Sequence, residues 1–249
     1  MTARAQTRRL EGKVALVTGA GRGIGRALAV ALAAEGAAIG ALSRTREELV
    51  RLVDEIQQAD GRAIALPTDV TDAGAVKSAV DQIAHDFGGL DLVLANAGVS
   101  PPPASLLESE PRVFQDTLNV NLFGVYATLR AAVPHLKQRG HGNVIVVGSG
   151  MGHKASPDSA AYSSSKAAVW MLTRVLAEEL RSSDILVNEL VPGPVDTSIS
   201  GAGASRILQG NPLEWLKQPQ DVVPLALFLA TLPLKGPTGQ SFSLARREL

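Results

Sequence analysis

Tyr162 and Lys166 stand four positions apart in a segment whose pattern predicts a helix, so their side chains share one helical face. A free tyrosine titrates near pH ~10, too high for ready proton exchange at neutral pH, and a neighbouring ammonium group favours the phenolate. The spacing therefore predicts that Lys166 lowers the pKa of Tyr162 and makes it a proton donor and acceptor. The same pair also occurs by chance on surface helices, so the residues around it must show whether it is a functional site.

Ser149 carries a hydroxyl group thirteen positions before Tyr162, between Gly148 and Gly150. It follows the apolar run 144–147, and residues that follow a strand of a parallel sheet lie at the crevice where ligands bind. We therefore expect the Ser149 hydroxyl to lie beside Tyr162, where it can donate a hydrogen bond to a carbonyl oxygen. This placement turns a common spacing into a candidate site for proton transfer.

The sequence TGAGRGIG at 18–25 lies between an apolar run and a helical pattern. Glycine allows positive φ and a close backbone approach, and a helix N-terminus offers free N–H groups and a positive dipole end. We expect a pyrophosphate to bind at Gly19, Gly23, Ile24 and Gly25. The spacing differs from the general GxGxxG pattern, since Ile24 stands where its third glycine would be. A merely flexible turn is the alternative interpretation.

The end of the second apolar run bears on the type of dinucleotide. Sites for NAD usually place an Asp or Glu there to bind the ribose 2′-hydroxyl, whereas a 2′-phosphate requires cations. This chain has Ser43 and Arg44 instead, and Arg22 in the glycine turn can approach the same group. These residues favour NADP(H) over NAD(H), the alternative being that both arginines are solvated surface residues.

The elements that must position these residues alternate along the chain. Short aliphatic or β-branched runs predict strands, and longer segments with helical periodicity separate them. The strands are apolar almost throughout, as expected when helices cover both faces of a parallel sheet. We predict an α/β fold, a doubly wound parallel sheet of about seven strands (Rossmann fold). The predicted strands are 14–18, 38–42, 63–66, 90–94, 144–147, 185–191 and 240–244, and the predicted helices are 23–35, 45–59, 71–87, 112–138, 160–181 and 219–231.

The composition argues against several classes of protein. The 24 Lys and Arg balance the 24 Asp and Glu, and no basic stripe appears, so no nucleic-acid partner is expected. The longest apolar run, 27–34, is far shorter than the roughly 20 residues that cross a bilayer, so no membrane partner is expected. The absence of cysteine fits a cytoplasmic, reducing environment, and four scattered histidines predict no metal site. We expect a flexible tail at 1–10 and a single catalytic domain at 11–249.

The combined motifs resemble the short-chain dehydrogenase/reductase family: TGxxxGIG after the first strand, YxxxK on a helix, and a serine thirteen residues before the tyrosine. The resemblance extends over nearly the whole chain, about 13–244. It implies that Ser149 polarises a substrate carbonyl, that Tyr162 exchanges its proton, and that Lys166 also binds the nicotinamide ribose.

The same resemblance assigns roles to residues outside these motifs. Asn121, in the segment NVNLFG, would complete a proton relay. The turn at 95–98 is similar to the family's NNAG turn, with Ala95 in place of the first asparagine. Taken alone, Asp69 is also explained as a loop cap and Thr197 as a helix cap. The further residues implied to contact the cofactor are Asp69, Val70, Asn96, Ala97, Gly98, Pro192, Gly193, Val195 and Thr197.

The resemblance implies an NADP(H)-dependent oxidoreductase that moves a hydride between nicotinamide and a carbonyl or secondary alcohol, with Tyr162 as general acid and base. A 3-oxoacyl-(acyl-carrier-protein) reductase is an alternative, and a non-catalytic cofactor-binding regulator is an alternative of another class. The loops 99–104, 150–158 and 198–215 are expected to shape the site for a small carbonyl or alcohol substrate. Related proteins are commonly dimers or tetramers, so a homo-oligomer is expected, with Trp170 and Leu172 on a candidate subunit face; core packing is the alternative for Trp170.

Overall fold

The computed structural model describes residues 8–197 and 214–245, which form a sheet covered by helices on both faces. The strands are β1 (Val14–Thr18), β2 (Ala38–Ser43), β3 (Arg62–Pro67), β4 (Leu92–Ala95), β5 (Gly142–Val147), β6 (Ile185–Val191) and β7 (Ser241–Ser243). They pair in the order β3-β2-β1-β4-β5-β6-β7, and all six pairs are parallel. The predicted doubly wound parallel sheet is confirmed.

Seven α-helices lie in the described part of the chain and form two layers. They are α1 (Gly23–Ala34), α2 (Arg46–Gln58), α3 (Ala73–Phe87), α4 (Pro111–Leu118), α5 (Gly124–Arg139), α6 (Ala160–Glu179) and α7 (Val223–Ala230). In β1, Ala15 and Val17 belong to the core beneath α1, α2 and α7, while Val14 and Leu16 belong to the core beneath α3, α5 and α6. Since both faces are buried, the strand is apolar from Val14 to Val17.

The strand order reverses between β1 and β4. The chain runs outward from β1 through β2 to β3 and then returns to β4 on the other side of β1. The loops after β1 and β4 consequently diverge and leave a crevice at the carboxyl ends of the strands. The glycine turn follows β1, Asn96 follows β4 and Ser149 follows β5, so the sheet brings the predicted motifs to one edge.

The single helix predicted over 112–138 is divided in the structure. A five-residue π-helical turn, Asn119–Phe123, separates α4 from α5. Such a turn widens the backbone by one residue and is typical of functional sites. Asn121, inside it, is fully buried and bonds outside its own helix. Hydrophobic periodicity could not indicate this single extra residue, because α4 and α5 continue the same apolar pattern on either side.

The start of the chain corrects part of the predicted tail. Leu10 is buried in the core beneath α1, and its backbone N–H donates to the Glu35 carbonyl at 2.8 Å. Arg9 pairs with the Glu35 carboxylate at 2.8 Å. Residues 8–10 therefore pack against the folded part of the chain, while 1–7 lie outside the described residues.

Candidate active site

Two adjoining cavities lie at the carboxyl edge of the sheet, and three residues line both of them: Tyr162, Gly193 and Val195. The first cavity, of about 210 Å³, follows the loops after β1, β2, β3 and β4. The second, of about 420 Å³, lies against the Ser149 turn and α4. A long ligand in the first cavity and a small one in the second would therefore meet at Tyr162.

The predicted cofactor residues converge on the first cavity. Gly25 lies behind it, because a Cβ added there would be 2.2 Å from the Gly19 carbonyl oxygen. Ser149 lines the second cavity, and Asn121 lines neither. The predicted residues that line the first cavity are Gly19, Arg22, Gly23, Ile24, Ser43, Arg44, Asp69, Val70, Asn96, Ala97, Gly98, Tyr162, Lys166, Pro192, Gly193, Val195 and Thr197.

The glycine turn forms a cradle that fits a pyrophosphate. Gly19 and Gly23 adopt φ of +66° and +56°, conformations that side chains disfavour. Arg22, which precedes the first helical residue of α1, makes no side-chain cap bond, so no side chain of that residue occupies the first-turn N–H groups. A Cβ at Gly23 would lie 3.2 Å from Thr197 Cγ2, so Thr197 lies directly over the turn. Open backbone and a free helix N-terminus are what a bound anion requires.

Asn96 holds the cradle in shape through the end of β1. Its Nδ2 donates to the carbonyl oxygens of Thr18 at 3.0 Å and Gly19 at 3.3 Å. The backbone N–H groups of Asn96 and Ala97 both donate to Thr18 Oγ1, at 3.0 and 3.1 Å. The Asn96 side chain thus positions the glycine turn, and Ala95, which replaces the family's first asparagine, is buried in the core.

The adenosine end of the first cavity contains a carboxylate that sequence reasoning missed. Arg22, Ser43 and Arg44 line this end as predicted, and Glu48 joins them from the first turn of α2. A Cβ added at Gly21 would lie 2.5 Å from Glu48 Oε2 and 2.9 Å from Ser43 Oγ. Glu48 lies five residues after Ser43, the last residue of β2, so the residues at the strand end do not reveal it.

Asp69 combines two roles that the sequence left open. Its Oδ1 accepts hydrogen bonds from Thr71 N at 2.9 Å and from Thr71 Oγ1 at 2.8 Å, so it caps its own loop. Burial opposes its ionisation, but the bonds from Thr71 and the nearby Arg44 charge outweigh burial and lower its pKa. Asp69 is therefore an anion that also lines the cavity beside Arg44.

Ser149 and Tyr162 meet at the boundary of the cavities. The Ser149 Oγ accepts a hydrogen bond from Met151 N at 3.2 Å, which leaves its O–H available to donate. Burial raises the pKa of the Tyr162 phenol above its usual value of 10.0, and the hydrogen bond with Ser149 offsets part of the rise. The predicted lowering by Lys166 is wrong for this structure, since burial dominates and Lys166 Nζ lies 5.9 Å from the ring centroid.

Lys166 is buried on α6 and is fixed by the sheet. Its Nζ donates to the Val147 carbonyl oxygen at 2.8 Å. Burial lowers the pKa of Lys166 from 10.5 to about 8, and the negative charge of Glu189 works in the opposite direction. The group can therefore still carry a proton at neutral pH while it lies against the first cavity.

Asn121 connects the loop after β4 to α6. Its Oδ1 accepts from Val99 N at 2.7 Å, and its Nδ2 donates to Val99 O at 2.9 Å and to Ser165 Oγ at 3.0 Å. These bonds position the wall that faces Tyr162 and Lys166. The relay that the family resemblance implies for Asn121 remains a prediction.

The second cavity includes a segment that sequence reasoning left out. The predicted loops contribute 100–104, 150–151 and 156–158, and a backbone bridge pairs Ala104 with Ser159. The start of α4 contributes Glu110, Val113 and Phe114 in addition. Of the predicted loop 198–215, residues 198–213 lie outside the described residues.

Residues 8–197 and 214–245 contain neither a candidate membrane-spanning helix nor a candidate metal cluster. No helix in these ranges combines the length and apolar character that crossing a bilayer requires. No three His, Asp or Glu side chains within them gather as a metal ion would require.

Comparisons with known proteins agree with this geometry. The family model of the short chain dehydrogenases matches residues 13–206. The chain is 33% identical over 236 residues to the 3-oxoacyl-[acyl-carrier-protein] reductase of Thermotoga maritima, a match that covers 93% of this chain and 96% of that relative.

Two solved structures are similar over nearly their whole length. Carveol dehydrogenase from Mycobacterium avium, in complex with NAD, is 33% identical with a TM-score of 0.88, covering 95% of this chain and 97% of that chain. A short chain dehydrogenase from Burkholderia cenocepacia, in complex with NADP, is 34% identical with a TM-score of 0.86, covering 95% and 98%. The protein therefore belongs to the short-chain dehydrogenase/reductase family of oxidoreductases, which bind nicotinamide cofactors.

Proposed function

We propose that the protein is an NADP(H)-dependent carbonyl reductase or secondary-alcohol dehydrogenase. One observation carries the proposal: Tyr162 lies where the first cavity meets a second cavity that Ser149 lines, with Lys166 on the same helix. These three side chains can orient a carbonyl oxygen and supply its proton. A bound nicotinamide would supply or accept the hydride.

The protein groups divide the proton chemistry between them. Ser149 donates to the substrate oxygen and orients it toward Tyr162. Because burial raises the Tyr162 pKa, the phenol is protonated at neutral pH and is ready to act as a general acid during carbonyl reduction. For alcohol oxidation the same residue must first lose its proton. By family resemblance, Lys166 binds the nicotinamide ribose.

The preference for NADP(H) rests on the charges at the adenosine end. Arg22, Ser43 and Arg44 line it, and two guanidinium groups can hold a 2′-phosphate. Glu48 opposes this phosphate by like charge, or binds a ribose 2′-hydroxyl instead. We propose that the arginines dominate and that Glu48 limits the degree of selectivity.

The second cavity favours a small neutral or weakly polar substrate. Its described lining includes Glu108, Glu110 and Asp158 but no Lys or Arg. A phosphopantetheine arm and an acidic carrier protein would meet unfavourable charge there. This favours a free carbonyl compound over the 3-oxoacyl-(acyl-carrier-protein) alternative, which the T. maritima relative keeps open.

We further propose that the protein is a homo-oligomer, a dimer or a tetramer. Phe123 in the π-helical turn, Tyr126 on α5, and Met171 and Val175 on α6 expose large apolar side chains. On the same helix, Leu172 is partly buried against the core, and Trp170 stacks on His153 at 5.1 Å within its own chain. Size-exclusion chromatography with light scattering tests this, and a monomeric mass would contradict it.

The catalytic proposal is tested with NADPH and a panel of neutral ketones, by following the loss of the absorbance of the reduced cofactor. We expect turnover of at least one neutral ketone and weak activity toward 3-oxoacyl thioesters of carrier protein. The opposite order would favour the acyl-carrier alternative. Cofactor binding by calorimetry without turnover of any carbonyl would instead favour the non-catalytic regulator.

A further inference from the structure

A buried carboxylate lies directly behind the candidate active site. The Glu189 side chain, on β6, is 1% exposed, and its Oε2 accepts hydrogen bonds from His153 Nε2 at 2.8 Å and Ser241 Oγ at 2.5 Å. A carboxylate only accepts hydrogen bonds, so with Glu189 ionised the His153 ring carries its hydrogen on Nε2. Three segments are thereby joined: the turn after β5, β6 and β7.

The other oxygen of Glu189 is aimed at the segment that carries Ser149. Oε1 is buried and has no hydrogen-bond partner among the described residues. A Cβ added at Gly148 would lie 1.8 Å from it, so only glycine fits between Val147 and Ser149. A buried, unpaired carboxylate oxygen destabilises a fold, and such groups cluster at functional sites.

The turn after β5 is fixed to α6 at the position of Lys166. A Cβ added at Gly152 would lie 2.7 Å from the Lys166 carbonyl carbon, so this turn packs directly on the helix. The next residue, His153, is 10% exposed by its side chain and stacks on Trp170 of the same helix. A shift of Glu189 or His153 would therefore move the backbone of the turn after β5. This backbone carries Ser149 and the Val147 carbonyl oxygen that accepts the hydrogen bond from Lys166.

We propose that Glu189 is a positioning residue of the active site, whose carboxylate, held by His153 and Ser241, keeps Lys166 in its ammonium form and fixes the Ser149 turn. The charge of Glu189 acts on Lys166 against the effect of burial, which lowers the lysine pKa to about 8. Without the carboxylate, burial would act unopposed. The inference rests on the proposed function for its catalytic meaning but concerns a charge pair that exists without substrate.

The charged groups around Glu189 are few, so the pair can be followed by titration. Among the described residues, His153 contacts the Glu189 carboxylate, and the charge of Glu189 acts on Lys166. The strands β5 and β7 and helix α7 contain no titratable residue at all. Farther along α6, Arg174 lies over the Trp170 ring at 5.3 Å.

The test is the substitution Glu189→Gln, which keeps the shape of the side chain and removes its charge. Nuclear magnetic resonance of lysine labelled at Cε reports the protonation of Lys166 without cofactor or substrate. We expect its half-protonation pH to fall by about one unit, a tenfold change in the ratio of ammonium to amine. An unchanged Lys166 titration in a folded variant would overturn the inference.

Glu178→Gln is the matched control, because Glu178 also lies on an element beside the site but is exposed and pairs with Arg181. It should leave the Lys166 titration unchanged, and an equal shift in both variants would contradict a specific role of Glu189. If Glu189→Gln does not fold, the carboxyl-carbon resonance of Glu189 in the wild-type protein reports whether this side chain is ionised. A Glu189 that is neutral between pH ~6 and ~8 would overturn the inference.

These readouts separate the inference from the proposed function. Wild-type turnover of ketones with no Lys166 shift in Glu189→Gln would leave the function standing and remove the role of Glu189. A Lys166 shift in a protein that reduces no carbonyl would support the charge pair and contradict the function.

Discussion

The ammonium group of Lys166 donates a hydrogen bond of 2.8 Å to the carbonyl oxygen of Val147, the last residue of β5. Ser149 follows two residues later, so the same strand end holds the lysine and carries the serine. Tyr162, one helical turn before Lys166, completes the group from α6. The three side chains are therefore positioned by one strand and one helix, and each can be tested separately.

Tyr162→Phe should leave cofactor binding unchanged and remove most turnover. The substitution deletes the hydroxyl that transfers the proton but keeps the ring between the two cavities. General acid catalysis typically contributes about 10²–10⁴-fold, so we expect kcat to fall within that range. Steady-state rates and calorimetric Kd values check this, and activity near that of the wild type would exclude Tyr162 as the proton donor.

The exposed Tyr126 provides a control for this substitution. Tyr126→Phe removes a phenol hydroxyl from the surface of α5, away from both cavities as described. It should leave kcat unchanged.

The pH dependence should differ between the two directions of reaction. Reduction requires a protonated Tyr162, whose raised pKa keeps the proton in place throughout the neutral range. Lys166 loses its charge as the pH rises through about 8, which should weaken its proposed contact with the nicotinamide ribose. We therefore expect kcat/KM for reduction to fall above that value. Oxidation requires the phenolate, so its rate should rise with pH in the same range. Parallel profiles in the two directions would contradict the assignment.

Arg44→Ala should weaken NADP(H) binding about tenfold or more and leave NAD(H) binding nearly unchanged. A hydrogen bond to a charged group contributes about 1.5–3 kcal/mol, and Arg44 lines the cavity at the adenosine end. Arg46→Ala is the control, because Arg46 begins α2 but does not line the cavity. Equal weakening of both cofactors by Arg44→Ala would remove the 2′-phosphate contact.

Gly25→Ala should weaken the binding of either cofactor and lower the melting temperature. The added Cβ would lie 2.2 Å from the Gly19 carbonyl oxygen and 2.5 Å from Asn96 Nδ2, so the cradle must move. Gly74→Ala is the control, since its Cβ would meet nothing closer than Asp72 Oδ1 at 3.3 Å in the first turn of α3. Differential scanning fluorimetry and calorimetry check both variants, and normal binding by Gly25→Ala would show that the turn tolerates a side chain.

The fold and the main motifs were predictable because each depends on local pattern. Mostly apolar runs such as 14–18 and 185–191 were bounded correctly, since every position of each strand is buried. The glycine turn and the Tyr162 helix follow from spacing alone. Parallel pairing then brings the loops after β1, β4 and β5 to one edge without further information.

Features that depend on contacts between distant residues were not predictable. The π-helical turn contains Asn121, whose bonds to Val99 and Ser165 no periodicity reveals. The direction in which the Tyr162 pKa is shifted depends on burial, which the spacing of residues does not indicate. Glu189 stands in an apolar strand, where its partner His153 is 36 residues away.

The effect of Glu48 on the choice between NADP(H) and NAD(H) can be measured directly. It lies beside Ser43 at the adenosine end, where its carboxylate opposes a 2′-phosphate. Glu48→Gln keeps the side-chain length and removes this charge. We therefore expect NADP(H) binding to strengthen about threefold to tenfold, as for a like-charge contact of ~1 kcal/mol at a partly exposed site.

Binding of NAD(H) to the Glu48→Gln variant provides the second half of the measurement. If Glu48 also accepts a hydrogen bond from the ribose 2′-hydroxyl, NAD(H) binding should weaken while NADP(H) binding strengthens. Glu47→Gln is the matched control, because Glu47 lies in the same first turn of α2 but does not line the cavity. Unchanged affinity for both cofactors in Glu48→Gln would mean that the arginines alone determine the choice between them.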